Sequence, residues 1–407
     1  MLKTEYQKSK LLTTEGRMAL YNSLGRNMSV YKVQLDYLSE VIDENPKDHY
    51  ILLFRNISFI ALDLCAALRA CLNSQNLYER RYHIKYILVN CYEAFQAVYN
   101  HCGDKYSYVN KLEQFDKHLK ADRCYLDVVS RLKSLRSRFN DISEARNSYV
   151  HYDENILKTY EYILEIDSEK SPVQLCCDVL EVFQLIKILC ESNTELQIGE
   201  IWIPHVDDLE NVILKSIFTK LSTDKCLEDT LTETISNTPI DIDKDVRILK
   251  VLNLFSQNIA GDVSCLFNMH ILIQFIRVDL AVALRAFLQS ADSVEGMLNL
   301  RRLEIIKQEG VLRLQSMWNK LPSSLKNDLA GEQIIPIMDN VKRQARHHAV
   351  HYRFGKDDYV NELYKDCNNM KEQLKLLQEI PTLLNSLTLL HNTLTDKIII
   401  ARRYVKC

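Results

Sequence analysis

An all-α fold is predicted by three features of the amino-acid sequence. Apolar residues recur three and four positions apart over long stretches rich in Leu, Ile, Lys, Glu and Gln, and no convincing run alternates strictly. Glycine and proline are scarce, since nine glycines and seven prolines make up about 4% of the chain, against about 12% in an average protein. With 47% apolar residues, the 407-residue chain can bury a proper core.

The periodicity places the helices along the chain, and long polar breaks separate them. We expect helices over about 30–45, 50–74, 77–101, 122–164 (with breaks), 172–192, 206–221, 243–258, 263–290, 294–320, 333–353, 357–379 and 382–405. Two polar stretches, 193–204 and 223–245, interrupt the pattern near the middle of the chain. These stretches predict a connector between two helical halves.

An internal duplication supports this division. The segments Asp63–Ser74 and Asp279–Ser290 agree at eight of twelve positions. A second pair of similar segments, Ala145–Tyr152 and Ala345–Tyr352, follows in the same order. Two matching segments in the same order indicate a tandem duplication. The predicted domains are therefore a helical bundle over 1–192, a connector with a short helix over 193–244, and a second bundle over 245–407.

Composition excludes several classes of protein. The glycines never cluster, so neither a P-loop nor a GxGxxG turn can form. The net charge of −3 gives no global cationic field that would hold long nucleic acid. The twelve cysteines include no CxxC pair, and the first residues lack the apolar core of a signal peptide. From the cysteines and the N-terminus we expect a cytoplasmic protein without a membrane span. We expect no cofactor, and no metal site because the histidines show no metal-ligand spacing such as HExxH.

The first repeated segment has the character of a core helix. Leucines recur every four residues in each copy and would bury one helix face. Arg69 and Arg285 lie off that stripe. We predict that they pair with carboxylates such as Asp63 and Asp279, and binding of a ligand phosphate is the alternative.

The second repeated segment keeps residues that a core does not require. Each copy has an arginine followed five positions later by a histidine, as Arg146/His151 and Arg346/His351. Arg343/His348 has the same spacing but no counterpart in the first half. Five residues correspond to about 140° around a helix, so the arginine must curl round, or the helix must distort, for both side chains to meet one substrate.

Arginine and histidine together suit the cleavage of RNA. A guanidinium binds phosphate oxygens and can stabilise the charge that develops on them. A histidine can remove a proton from a 2′-hydroxyl or deliver one to a leaving oxygen near neutral pH. Such a site would need no metal ion. It would spare DNA, and its product would carry a 2′,3′-cyclic phosphate.

The motif, set in a small helical bundle, resembles the HEPN superfamily. In that family an arginine, a polar residue, three variable residues and a histidine lie on one helix, and both copies here match that pattern. The resemblance implies a metal-independent endoribonuclease, acting as a toxin or as an antiviral, abortive-infection effector. It also implies that two HEPN-like domains form a pseudo-dimer and line one cleft with both motif copies. The implied catalytic residues are Arg146, His151, Arg346 and His351, and the implied substrate-binding residues are Asn147, His347, Tyr152 and Tyr352.

Two other functions remain open on the sequence alone. The chain could be a non-catalytic RNA- or protein-binding helical module, in which the motif residues hold the two halves together. It could also be a helical scaffold with no nucleic-acid role. The expected partners of the enzyme are an RNA substrate and an antitoxin or regulatory protein. The sequence leaves open whether the chain also forms a homodimer.

Overall fold

The computed structural model describes residues 14–44, 48–99, 107–151, 156, 162, 170–194, 225–238, 261–328 and 369–405. Regular structure in these residues is entirely helical, which confirms the predicted all-α class. The chain forms two compact units. One comprises Met1–Arg146, Ile166–Val212 and Val350–Asp366, and the other comprises Asn147–Glu165, Ile213–Ala349 and Cys367–Cys407. The predicted domain boundaries at 192 and 244 stay a prediction, because most of 193–244 lies outside the described residues.

The first unit is built around one apolar helix. Its helices are α1 (Thr14–Glu44), α2 (His49–Leu72), α3 (Leu77–Val98), α4 (Tyr108–Phe115), α5 (Arg123–His151) and α6 (Lys170–Ser192), with a 3₁₀ turn at Leu119–Ala121. Helix α5 belongs to this unit up to Arg146, and its last residues, from Asn147, belong to the other unit. The central helix α2 packs against α1, α3 and α6. Among the described helices, α2 alone is long and apolar enough to cross a membrane. Its most apolar window is 94% buried inside the protein, as in a core helix.

Gly25 of α1 faces the guanidinium of Arg69 on α2. A Cβ atom at Gly25 would lie 3.1 Å from Nη1 of Arg69. The Arg69 guanidinium lies over the ring of Tyr21, 4.2 Å from its centroid, and its Nη1 donates to the sulfur of Met28 at 3.8 Å. Asp63, the predicted carboxylate partner of Arg69, accepts a hydrogen bond from Asn90 at 3.3 Å. The repeated arginine thus packs between α1 and α2 with an aromatic face as one partner.

The second unit also surrounds a central apolar helix. It contains α7 (Lys225–Ser236), α8 (Gly261–Leu288), α9 (Ser293–Lys320), α10 (Ser323–Asp328) and α11 (Met370–Val405). Helix α8 packs against α7, α9 and α11. A Cβ atom at Gly310 would lie 2.8 Å from the side chain of Ile276, so only glycine lets α9 approach α8 this closely.

Each duplicated segment is followed by the same capping turn, which contains the same two hydrogen bonds in both units. In the first unit, Asn76 accepts from the backbone N–H of Glu79, whose carboxylate accepts from the N–H of Gln75. In the second unit, Asp292 and Glu295 repeat both bonds, 216 residues later. Both glutamates are buried. This reciprocal capping satisfies two backbone donors at each helix start, and it supports the duplication predicted from the sequence.

Several predicted elements differ from the structure. Helix α1 begins at Thr14 rather than near residue 30, and α4 was not predicted. Helix α7 occupies part of the polar stretch 223–245, where an amphipathic face buries Leu231 and Ile235. Predicted helices 206–221, 243–258 and 333–353, and most of the segment between 357 and 369, lie outside the described residues.

The helices predicted over 357–379 and 382–405 join in α11, which continues through Pro381. A proline removes one backbone hydrogen bond from a helix interior. The neighbouring Ile380 and Leu384 are almost completely buried, and α11 packs along α8. Burial of this apolar face offsets the lost hydrogen bond, so the helix continues.

The described cysteines behave mainly as small apolar residues. All nine are free thiols, and six of them are buried. Burial raises the pKa of Cys65, and that of Cys176, above the ordinary value, so both stay protonated. Such thiols are poor nucleophiles, and we assign these two to core packing.

A pair of stacked histidines joins α8 to α11. The ring centroids of His270 and His391 lie 4.0 Å apart, and Nε2 of His270 lies 2.9 Å from the hydroxyl of Thr395. Burial lowers the pKa of His270 to about 3 and that of His391 to about 4, and the cation of Arg277 adds to both shifts. The folded protein therefore holds both rings neutral at pH values where an unfolded chain would protonate them.

The histidine pair predicts a loss of stability in acid. The unfolded chain binds protons as the pH falls below about 6.5, whereas the folded chain does not until the pH approaches 4, so the free energy of unfolding falls across this range. Urea unfolding at several pH values should show a shallower fall for His391→Gln than for wild type. The matched variant His118→Gln, at an exposed histidine, should leave the slope unchanged. Parallel profiles for all three proteins would contradict the assignment.

Candidate functional site

The first motif copy lies in the last turns of α5. This helix runs without interruption from Arg123 to His151, so Arg146, Asn147 and His151 all have helical backbones. Tyr152 lies outside the described residues. The second copy, Arg346, His347, His351 and Tyr352, lies outside them as well. The site is therefore described from its first copy.

A stripe of buried residues fixes the rotation of α5 about its axis. The helix begins after Asp122, whose carboxylate accepts from the N–H of Tyr125 at 3.0 Å. The buried side chains recur three and four residues apart, and they are Tyr125, Val128, Leu132, Leu135 and Phe139. This spacing determines which side of α5 packs against the other helices and which side faces solvent.

Arg146 extends the buried side of α5 and forms an ion pair with Glu93 of α3. Its Nε donates to Oε1 of Glu93 at 2.7 Å, and its Nη2 donates to the same oxygen. The two side chains are only 12% and 9% exposed. The Arg146 guanidinium also lies 5.9 Å from the ring centroid of Tyr92. A charge-assisted pair at this depth is stronger and less screened than a surface pair.

Aromatic packing supports the ion pair from the side of the core. Phe139, two turns before Arg146, stacks on Phe95 of α3 with ring centroids 4.3 Å apart. Tyr92 meets the edge of Phe139 at 6.4 Å. The same faces of α3 and α5 thus contribute an apolar contact and an ion pair, and both hold the motif helix against α3.

Tyr149 anchors the final turn of α5. It is 5% exposed, and its hydroxyl donates to the carbonyl oxygen of Tyr162 at 3.0 Å. The two tyrosine rings also meet edge to face, with centroids 6.2 Å apart. Through this bond Tyr162 contacts the last turn of α5.

The motif residues lie on different sides of α5. Arg146 is turned toward Glu93, and the helix is regular as far as His151, which lies about 140° further round the axis. In the first copy, the arginine therefore does not curl toward the histidine position, and the helix is not distorted between them. The position of Asn147, four residues before His151, is on the same side of the helix as that of His151.

Sequence reasoning missed Glu93. It precedes Arg146 by 53 residues, so no local spacing links the two. The internal repeat carries the signal: Glu309, 216 residues after Glu93, takes the equivalent position on α9 and is 3% exposed. A glutamate is rarely so deeply buried without a cationic or hydrogen-bonding partner, so a buried glutamate kept in both halves indicates a structural or functional role.

The described residues contain no group of three or more His, Cys, Asp or Glu that could hold a metal ion. No family model, curated protein or solved structure matches the chain. The interpretation of the site therefore depends on its own residues and on the internal repeat.

The packing of α3 and α5 predicts the effect of truncating Phe139. Because its ring is 1% exposed and stacks on Phe95, Phe139→Ala should lower the free energy of unfolding by about 3–5 kcal/mol. Leu126→Ala on the same helix, at a side chain that is 52% exposed, should cost less than about 0.5 kcal/mol. Equal losses of stability in urea unfolding would show that the described contact is wrong.

Proposed function

We propose that the protein is a metal-independent endoribonuclease of the HEPN type, acting as a toxin or as an antiviral, abortive-infection effector. The proposal includes two HEPN-like halves that use both motif copies on one RNA. The observation that carries it is the repetition, in both halves, of an arginine and a histidine at the same spacing together with a buried glutamate on an earlier helix. Packing alone does not require a repeated histidine at that position.

The ion pair suggests a role for Glu93 in such an enzyme. A guanidinium held by a carboxylate keeps one orientation and loses less conformational entropy when it meets a phosphate. Glu93 is then a positioning residue that acts through Arg146. We extend the proposal to the second half, where Glu309 would serve Arg346 in the same way.

The proposed reaction conserves atoms and charge without a metal. One motif histidine removes the proton of the 2′-hydroxyl, whose oxygen attacks the adjacent phosphorus. The bond from phosphorus to the 5′-oxygen of the next nucleotide breaks, and the other histidine, in its protonated form, gives that oxygen a proton. Arg146 and Arg346 stabilise the charge on the phosphoryl oxygens. Because Arg146 and His151 occupy different sides of α5, each arginine in this proposal acts beside the histidine of the other motif copy. The products carry a 2′,3′-cyclic phosphate and a 5′-hydroxyl.

The pair between Glu93 and Arg146 also favours a second candidate function. Its two side chains are mostly buried and hold two helices together. In a non-catalytic RNA- or protein-binding module, the arginine of the motif would have this structural role alone. The two candidates differ in one property, because only the enzyme breaks RNA.

Incubation of purified protein with total RNA in EDTA tests the proposal. Wild type should cleave RNA and leave 2′,3′-cyclic phosphate ends, because the reaction uses the 2′-hydroxyl and needs no metal. His151→Ala/His351→Ala should reduce the rate by at least about a hundredfold, the usual contribution of general acid–base catalysis. The matched variant His118→Ala, at an exposed histidine outside the motif, should cleave like wild type.

Two results would contradict the enzyme. If wild type and the double variant are equally inert although RNA is bound, the binding module is the better description. If EDTA abolishes cleavage, the metal-free reaction is wrong. An antitoxin or regulatory protein belongs to the same proposal, and it should suppress the cleavage by wild type.

A further inference from the structure

The middle of α5 carries a run of positive charge. Between Asp127 and Asp141 the helix contains four cations, Arg131, Lys133, Arg136 and Arg138, and no acidic residue. The protein as a whole has a net charge of −3. The run is therefore a local excess of positive charge, and it lies on the helix that ends with the motif.

Two of the four cations face carboxylates. Arg138 forms an ion pair with Asp178 of α6 at 2.6 Å. Arg131 and Arg138 line one groove with Asp178 and Glu181, with a volume of about 480 Å³. The charges in this groove are of both signs, so it does not favour a polyanion.

The other two cations lie on a different side of α5 and are exposed. Among the described residues, Lys133 and Arg136 take part in no ion pair, and Asn140, one turn further on, is exposed too. Reversing or removing these charges would leave the described packing intact. Their positive charge is available to a ligand.

The exposed residues occupy the same side of α5 as the positions of Asn147 and His151. Lys133, Arg136 and Asn140 are three and four residues apart, and Asn147 and His151 follow after seven and four more. On a regular helix these five positions stay within about 60° of one another around the axis. From the first to the last they extend for about 27 Å, a length that several nucleotides of an extended strand would cover.

We propose that the exposed face of α5 defined by Lys133, Arg136 and Asn140 is a track that binds the phosphate backbone of single-stranded RNA on its way to the motif. The track is a binding site for the substrate of the proposed ribonuclease, and it depends on that function. Asp141 and Glu144 end the run of positive charge before Asn147, and the helix position of Glu144 is only about 40° from that of Asn140. Lys133 and Arg136 therefore bind the strand on one side of the scissile phosphate.

Binding of a fluorescein-labelled 2′-O-methyl RNA strand tests the track without cleavage, because this probe has no free 2′-hydroxyl. Lys133→Glu/Arg136→Glu should weaken binding at least about tenfold at low salt. Since each phosphate contact on a single strand contributes about 0.7 to the slope of log affinity against log salt, the slope should become shallower by about 1.4. Lys371→Glu/Lys375→Glu on α11, where both lysines are exposed, should bind like wild type.

The outcomes separate the track from the proposed function. Unchanged affinity and slope for the α5 variant, with RNA still cleaved by wild type, would overturn the track and leave the ribonuclease standing. Equal weakening by the α11 control would also overturn it, because the effect would then be one of net charge. Absence of both cleavage and RNA binding in wild type would overturn the ribonuclease and the track together. Weakening by the α5 variant alone supports the track.

Discussion

The ion pair between Glu93 and Arg146 extends the buried stripe that turns one side of α5 toward α3, and the positions of the other motif residues follow from that rotation. Arg146 continues a stripe that already contains the buried ring of Phe139. Because a helix turns by about 100° per residue, placing Arg146 on the buried side puts the position of His151 on another side. The five-residue spacing on a regular helix thus separates the arginine of the motif from its histidine, and the salt bridge holds the arginine on the buried side.

The two units share a local design. Each central apolar helix ends in the same capped turn, and each following helix carries a buried glutamate, Glu93 or Glu309, at the same distance from that turn. The remainder differs: Asn90, which donates to Asp63 in the first half, has Ile306 as its counterpart. Duplication has kept the turn and the glutamate while the surrounding contacts diverged.

Much of the fold could be predicted from the sequence, and less of the site. Apolar periodicity located α2, α3, α6, α8 and α9, and the start of α5, to within a few residues, because buried residues recur at regular spacing along these helices. It did not find α7, whose composition is polar and whose stability comes from packing on α8 and α11. The motif residues were found from the repeat, but Glu93 was not, since a partner 53 residues away leaves no local pattern. The same applies to the continuity of α11 through Pro381, which depends on burial against α8.

A double-mutant cycle on Glu93 and Arg146 tests most directly whether their ion pair holds the motif helix. The free energies of unfolding of wild type, Glu93→Gln, Arg146→Gln and the double variant give the coupling between the two side chains. Because both are mostly buried, we expect a coupling of about 1–3 kcal/mol, so that the double variant loses less stability than the sum of the two single losses. Additive losses, within about 0.5 kcal/mol, would show that the two side chains do not interact and that α5 is held by its apolar face alone.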